Sequence, residues 1–150
     1  MELKKLMVDT KAVWVDFPGL PGFSVEVANL SRKELNGLRK KCTVSKFDRK
    51  TRAVVENLDE DKFVTEFSRV TLKNWKGLTL EHLQTLLLID TEGQDLSKEL
   101  EFSVDNAETL VSSSTEFDTW LNEVVFDLEN FRAEPKGPSP KAAGGNVSKS

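Results

Sequence analysis

The sequence predicts an α+β protein, and three observations lead to this class. Val or Phe recurs at every second position in residues 13–17 and again in residues 23–27, which is the period of a strand face. Proline and glycine crowd residues 18–22 between them, which is typical of a hairpin turn. Apolar residues recur at helical spacing further along the chain. We expect N-terminal antiparallel β-hairpins packed with about five α-helices and a mainly helical C-terminal half.

The first helix is predicted from its N-terminal signals. Ser31 and Glu34 are spaced as a capping box, in which each side chain accepts from the other residue's backbone N–H. Leu30 and Leu35 occupy the positions of a hydrophobic staple across this cap. A helix is therefore expected to begin after Ser31, with Leu38 on its inward face.

A second hairpin and a second helix follow. Residues 47–55 predict two strands joined by a polar turn at residues 48–51. Asp59 is a natural N-cap for a helix that reaches about Lys73, with an apolar stripe along it, and residues 75–78 are expected to end this helix.

The C-terminal half contains further helix signals. Thr79 predicts the start of a helix, residues 90–95 a loop, and Leu100 and Phe102 a short strand before a helix opened by Asp105. The clearest helix is expected to start at Thr115. Its apolar stripe consists of Phe117, Trp120, Leu121, Val124, Val125, Leu128 and Phe131.

Composition divides the chain into one domain and a tail. Residues 1–133 have the apolar content of a single globular domain, whereas residues 134–150 are rich in proline, glycine, serine and lysine and predict disorder. Charge is segregated as well. Residues 32–52 hold nine bases and two acids, a net +7, whereas residues 53–134 hold six bases and nineteen acids, a net −13. This pattern favours oriented docking or self-association, or else neutralisation of the two segments across the fold.

The residues argue against an enzyme and against cofactors. His82 is the only histidine and Cys42 the only cysteine, which excludes a structural zinc site and restricts nucleophilic triads to His82. Asp90 to Asp95 superficially resembles a calcium loop, but Gly93 is its fourth residue where an EF-hand requires the sixth. No glycine-rich phosphate loop occurs. An acidic enzyme site remains as a third class, and it requires a deep pocket with two carboxyl groups of perturbed pKa.

Nucleic acid and membrane are also not expected as partners. Residues 32–52 are basic, but the chain as a whole carries a net charge of −4, whereas nucleic-acid-binding domains are usually basic. The longest apolar run is only residues 86–89, far below the roughly 20 residues of a membrane helix. We expect no signal peptide, and a reducing cytoplasm suits the single cysteine. Protein binding is the remaining function. The candidate partner-binding residues lie on two helical stripes and at two helix ends, and core packing is the alternative role for all of them: Phe63, Phe67, Trp75, Trp120, Val124 and Leu128.

The order of several short segments resembles the tail assembly chaperones of long-tailed, siphovirus-type bacteriophages. These segments are GFSVEV (22–27), LSRKEL (30–35), FDRKT (47–51), LDEDKF (58–63), NWKGL (74–78), NAETL (106–110), FDTW (117–120) and NF (130–131). The resemblance covers about residues 13–132.

The resemblance implies a protein that binds the tape measure protein, keeps it soluble and helps to recruit tail tube subunits. It implies action in the host cell cytoplasm and absence from the mature virion. It also implies a C-terminally extended form made by frameshifting, and self-association would suit the role. The alternative is a small phage structural protein, a tail-completion or connector component, that is retained in the virion.

Overall fold

Seven helices and five strands are formed by residues 1–8 and 11–132, which are the residues that the computed structural model describes. The helices are α1 (Leu3–Leu6), α2 (Arg32–Lys41), α3 (Glu60–Thr71), α4 (Leu80–Leu86), α5 (Val104–Ser113), α6 (Thr115–Val125) and α7 (Glu129–Arg132). The strands are β1 (Ala12–Asp16), β2 (Ser24–Ala28), β3 (Thr43–Asp48), β4 (Ala53–Leu58) and β5 (Leu72–Lys76). The α+β class is confirmed, with two more helices than expected. The predicted tail, 134–150, and the predicted domain end at residue 133 lie outside the described residues.

Three strands form an antiparallel sheet in the order β1-β2-β5. The first hairpin is as predicted, with Val15 opposite Val25 across β1 and β2. Val25 and Val27 are fully buried in the central strand, because this face of the sheet is covered by helices. Contacts between α6 and β2, and between α3 and β2, place the core on that face.

Strand β5 corrects the prediction that residues 75–78 merely end a helix. Helix α3 stops at Thr71, and Leu72 already has extended backbone angles. The register against β2 shifts between Glu26 and Val27, so that Leu72 and Trp75 pair with the two neighbouring core-facing valines. This bulge inserts one extra residue and brings two apolar side chains three residues apart onto the same face. A spacing of three is also that of a helix, which explains why the pattern was misassigned.

The centre of the core is aromatic. Phe17 follows β1 and packs against Phe117 and Trp120 of α6, with ring centroids 5.9 Å and 4.8 Å away. Phe23 completes the group at 5.6 Å from Phe17. All four rings are buried. They join the hairpin to α6, and their offset and tilted geometries are those that aromatic pairs prefer.

Most predicted helix starts are confirmed at the level of single hydrogen bonds. Ser31 and Glu34 form the predicted capping box at α2. The carboxylate of Asp59 accepts from the Lys62 amide at α3, and Thr79 caps α4. Helix α5 is capped by Ser103 and begins one residue before Asp105, which was expected to open it.

Two C-terminal predictions were wrong. The long helix from Thr115 ends at Val125. The Phe126 amide still donates to the carbonyl oxygen of Asn122, but the Asp127 amide donates to Val124, only three residues back, before α7 begins. Leu100 forms no strand: its amide donates to the carbonyl oxygen of Leu78, and the adjacent bridge between Thr79 and Glu99 is isolated. A single bridge is not continued into a ladder, so the segment through Phe102 packs on the core as a loop.

Candidate protein-binding surface

The second hairpin, strands β3 and β4 with their turn, projects from the domain; it is called the arm below. Its strands pair in full register from Thr43 opposite Leu58 to Asp48 opposite Ala53. β-Branched and aromatic side chains favour this extended structure. Six residues per strand make the arm about 20 Å long at the usual rise of a strand.

Local hydrogen bonds shape the turn at the end of the arm. The carboxylate of Asp48 accepts from the Lys50 amide at 2.9 Å, and its carbonyl oxygen accepts from the Arg52 amide at 2.7 Å. Arg52 takes a left-handed backbone with φ of 56°, which is uncommon for a residue with a side chain. The turn therefore presents Arg49, Lys50 and Arg52 together at the tip.

The base of the arm is held by the domain. Cys42, directly before β3, is 1% exposed, and its carbonyl oxygen accepts from the Asp59 amide at 2.8 Å. The Thr43 hydroxyl donates to the carbonyl oxygen of Arg39 in α2. Thr43 and Leu58 are half-buried, whereas the residues beyond them are exposed, apart from Asp48. The arm is thus fixed at one end and free of the core along its length.

Apolar side chains are exposed on both faces of the arm. Phe47 and Val54 lie opposite each other and are 64% and 67% exposed. Val44 and Val55 are on the other face and are also exposed. A two-stranded ribbon without a covered face is only marginally stable by itself. An element of this kind gains stability when another molecule covers it, which makes the arm a candidate protein-binding surface.

The arm is basic, and its cationic side chains form no ion pair within the described residues. The ion pairs found there use the cations of Lys5, Lys41, Arg69 and Arg132. The four cations of the arm belong to none of those pairs: Lys46, Arg49, Lys50 and Arg52. Lys41, by contrast, pairs with Glu66 of α3 at 2.6 Å, so part of the basic segment is neutralised across the fold.

Four of the six predicted partner-binding residues are in the core. Phe67, Trp75, Trp120 and Val124 are each at most 9% exposed. The indole Nε1 of Trp75 donates to the carbonyl oxygen of Leu100 at 2.9 Å. Their side chains are packed in the core and are not accessible to a partner in this structure.

The other two predicted residues lie in different surroundings. Phe63 is half-buried and stacks on Phe67 with centroids 5.8 Å apart. Leu128 is 59% exposed and borders a shallow depression of about 290 Å³ that also includes Val8 and Phe131. The structure therefore does not bring the six residues together into one surface.

The exposure of the arm was not predicted from the sequence, although a signal was present. Val44, Phe47, Val54 and Val55 do not follow one strict alternation of apolar and polar positions. Strands with one buried face alternate, so apolar residues on both faces indicate either a fully buried strand or an exposed one. The charged turn beside them favours exposure.

One surface depression is lined by a carboxyl group of perturbed pKa. Its volume is about 430 Å³, and Asp61, Val64 and Asp118 are among its lining residues. Burial raises the pKa of Asp118 above its usual range, and a hydrogen bond from Asn122 opposes this shift. An acid–base pair requires two groups with separated pKa values, and Asp118 is one such group.

His82 and the acidic loop have structural roles. The Nδ1 atom of His82 lies 3.0 Å from the Gly77 carbonyl oxygen and 3.4 Å from the Thr79 amide, at the start of α4. In the loop, the carboxylates of Asp90 and Asp95 accept from the backbone two residues on. Within residues 1–8 and 11–132, no three His, Cys, Asp or Glu side chains are grouped to hold a metal ion.

Comparison with known proteins gives no relative: no family model, curated protein or solved structure matches the chain. None of the helices in the described part of the chain combines the length and apolar character that crossing a bilayer requires.

Proposed function

We propose that this chain is a non-enzymatic tail assembly chaperone of the type found in long-tailed bacteriophages. In this role it binds the tape measure protein in the host cell cytoplasm, keeps it soluble, helps to recruit tail tube subunits and leaves before the virion is complete. The order of sequence segments that resembles this family supports the identity.

The exposed arm is the single structural observation that supports protein binding. Phe47 and Val54 are more than half exposed at its end, and a chaperone needs apolar groups that are available to a client before assembly. The helical stripes that the sequence offered for this purpose are used mainly in the core. The arm therefore replaces them as the proposed contact surface.

Co-expression with the tape measure protein from the same genome tests the proposal. We expect the tape measure protein to be insoluble alone and to be recovered in a soluble complex with this chain, with the stoichiometry measured by size-exclusion chromatography and light scattering. An unrelated acidic protein of similar size is the control for a general effect on expression.

The alternative, a tail-completion or connector component, predicts a different location. Quantitative mass spectrometry of purified virions distinguishes the two: a chaperone is absent, whereas a structural protein is present at a fixed copy number. A chain that is found in particles and fails to solubilise the tape measure protein would overturn the chaperone proposal.

A further inference from the structure

We propose that the arm binds an extended, acidic segment of the partner protein, which adds a third strand along the edge of β3. The inference rests on the proposed protein-binding function and specifies its surface and the chemistry of its partner. Strand addition uses backbone hydrogen bonds for affinity and side-chain contacts for specificity.

Both edges of the arm are open among the described residues, since β3 and β4 form a sheet of two strands only. The ladder is extended at its base by the hydrogen bond from the Asp59 amide to the Cys42 carbonyl oxygen. Hydrogen-bonded and non-hydrogen-bonded pairs alternate in an antiparallel ladder. Counting from that base, the backbone groups of Ser45 and Phe47 face outward from β3, and those of Val54 and Glu56 face outward from β4.

Charge distinguishes the two edges. Strand β3 carries exposed Lys46 and, at its last position, Asp48, whose carboxylate is engaged by the Lys50 amide in the turn. Helix α2, directly before β3 in the chain, presents Arg39 and Lys40. Strand β4 carries Glu56, which repels an acidic segment. An acidic strand is therefore attracted to β3, where Phe47 and Val44 offer apolar contacts on opposite faces. Side chains of an added strand alternate between those faces, so the partner segment is expected to alternate as well.

The same surface is less suited to nucleic acid. Phe47 is the only aromatic residue of the arm, whereas single-stranded nucleic acid is usually bound by several stacking rings. The open strand edge presents alternating donors and acceptors, which match a polypeptide backbone and not a row of phosphates.

Overlapping peptides that cover the tape measure protein are the probe, and binding to the full chain is measured by fluorescence anisotropy at low and high salt. We expect the bound peptides to be acidic and their affinity to fall as salt rises, because exposed charges are screened. Neutral or basic binders overturn the inference. So does a chain that binds single-stranded DNA or phosphatidylserine vesicles but none of the peptides.

A charge-reversal variant tests the contribution of the arm. Lys46→Glu combined with Arg49→Glu is expected to weaken peptide binding by about tenfold or more, because like charges that face each other across an interface are strongly unfavourable. Lys4→Glu with Lys5→Glu makes the same change of charge on the exposed helix α1 and is expected to leave binding within about twofold. An equal loss of peptide affinity in the two variants would show that only the overall charge of the protein matters, and it would overturn the proposed docking site on the arm.

A proline pair tests the edge itself. Ser45→Pro removes an amide that faces outward from β3, whereas Glu56→Pro removes one that faces outward from β4. Only Ser45→Pro is expected to abolish binding, because proline cannot donate to an added strand. Circular dichroism and thermal melting verify that each variant is folded, and the charge variants decide the question if Ser45→Pro is not.

The outcomes separate this inference from the proposed function. If the wild-type chain captures the full tape measure protein and the arm variants capture it equally well, the inference fails and the chaperone proposal stands. If the wild-type chain captures neither the tape measure protein nor its peptides, both fail.

Discussion

The substitution Gly77→Ala is expected to destabilise the fold through a backbone collision. Gly77 has a φ of 75°, and a Cβ added there would lie 2.0 Å from the carbonyl oxygen of Gly22 and 2.8 Å from its carbonyl carbon. The left-handed backbone costs a residue with a side chain roughly 1–2 kcal/mol. The contact is with backbone, which has no rotamer to change, and overpacking of this kind adds typically about 1–3 kcal/mol. The expected loss is therefore about 2–5 kcal/mol.

Gly93→Ala is the matched control for this experiment. Gly93 has nearly the same φ, 77°, but nothing lies within 4 Å of the position that a Cβ would take. It should lose only the conformational part of the free energy. Urea unfolding at room temperature measures both variants, and the difference in their free energies of unfolding isolates the collision. If Gly77→Ala loses no more stability than Gly93→Ala, the backbone of Gly22 does not lie as close to Gly77 as described.

Three further substitutions, one of them with a matched control, test the pH dependence, the core and a cap. The raised pKa of Asp118 means that the folded state binds its proton more tightly, so this group's contribution to stability is present at low pH and is lost as pH rises through its folded pKa. Asp118→Asn should therefore gain stability relative to the wild type as pH rises, as measured by urea unfolding across the acidic range. A stability difference that stays constant with pH would refute the pKa shift. Trp75→Phe removes the hydrogen bond to Leu100 and should cost at least about 1 kcal/mol in the same assay; an unchanged midpoint contradicts that bond. Ser114→Ala removes a buried N-cap of α6 and should lower the free energy of unfolding by about 1–2 kcal/mol. Ser103→Ala removes the exposed N-cap of α5 and should lower it by less. Equal shifts of the melting temperature in the two variants would show that burial of the cap does not matter.

The sequence predicted several local features because short-range chemistry decides them. The capping box of Ser31 and Glu34 needs only residues three apart, and it forms as expected. The hairpin of β1 and β2 was predicted for the same reason, since alternation and a turn rich in proline and glycine specify both strands.

The candidate site was predicted poorly, because periodicity shows that an apolar stripe exists but not what covers it. Trp120 and Val124 lie on the predicted stripe of α6 and are buried. Leu128 continues the same sequence pattern, yet the chain has left the helix before it and the side chain is exposed. The arm was predicted as a hairpin, but its exposure depends on the absence of a covering element among the described residues.

By itself, the sequence determined the α+β class, the N-terminal hairpin and most of the helix starts, which depend on neighbours within a few residues. Only the tertiary structure decided that residues 72–76 form a strand, because the bulge against β2 gives Leu72 and Trp75 a helical spacing on one sheet face. It also decided which apolar residues are exposed: burial depends on which distant elements pack together, and the core uses the helical stripes while leaving the arm uncovered.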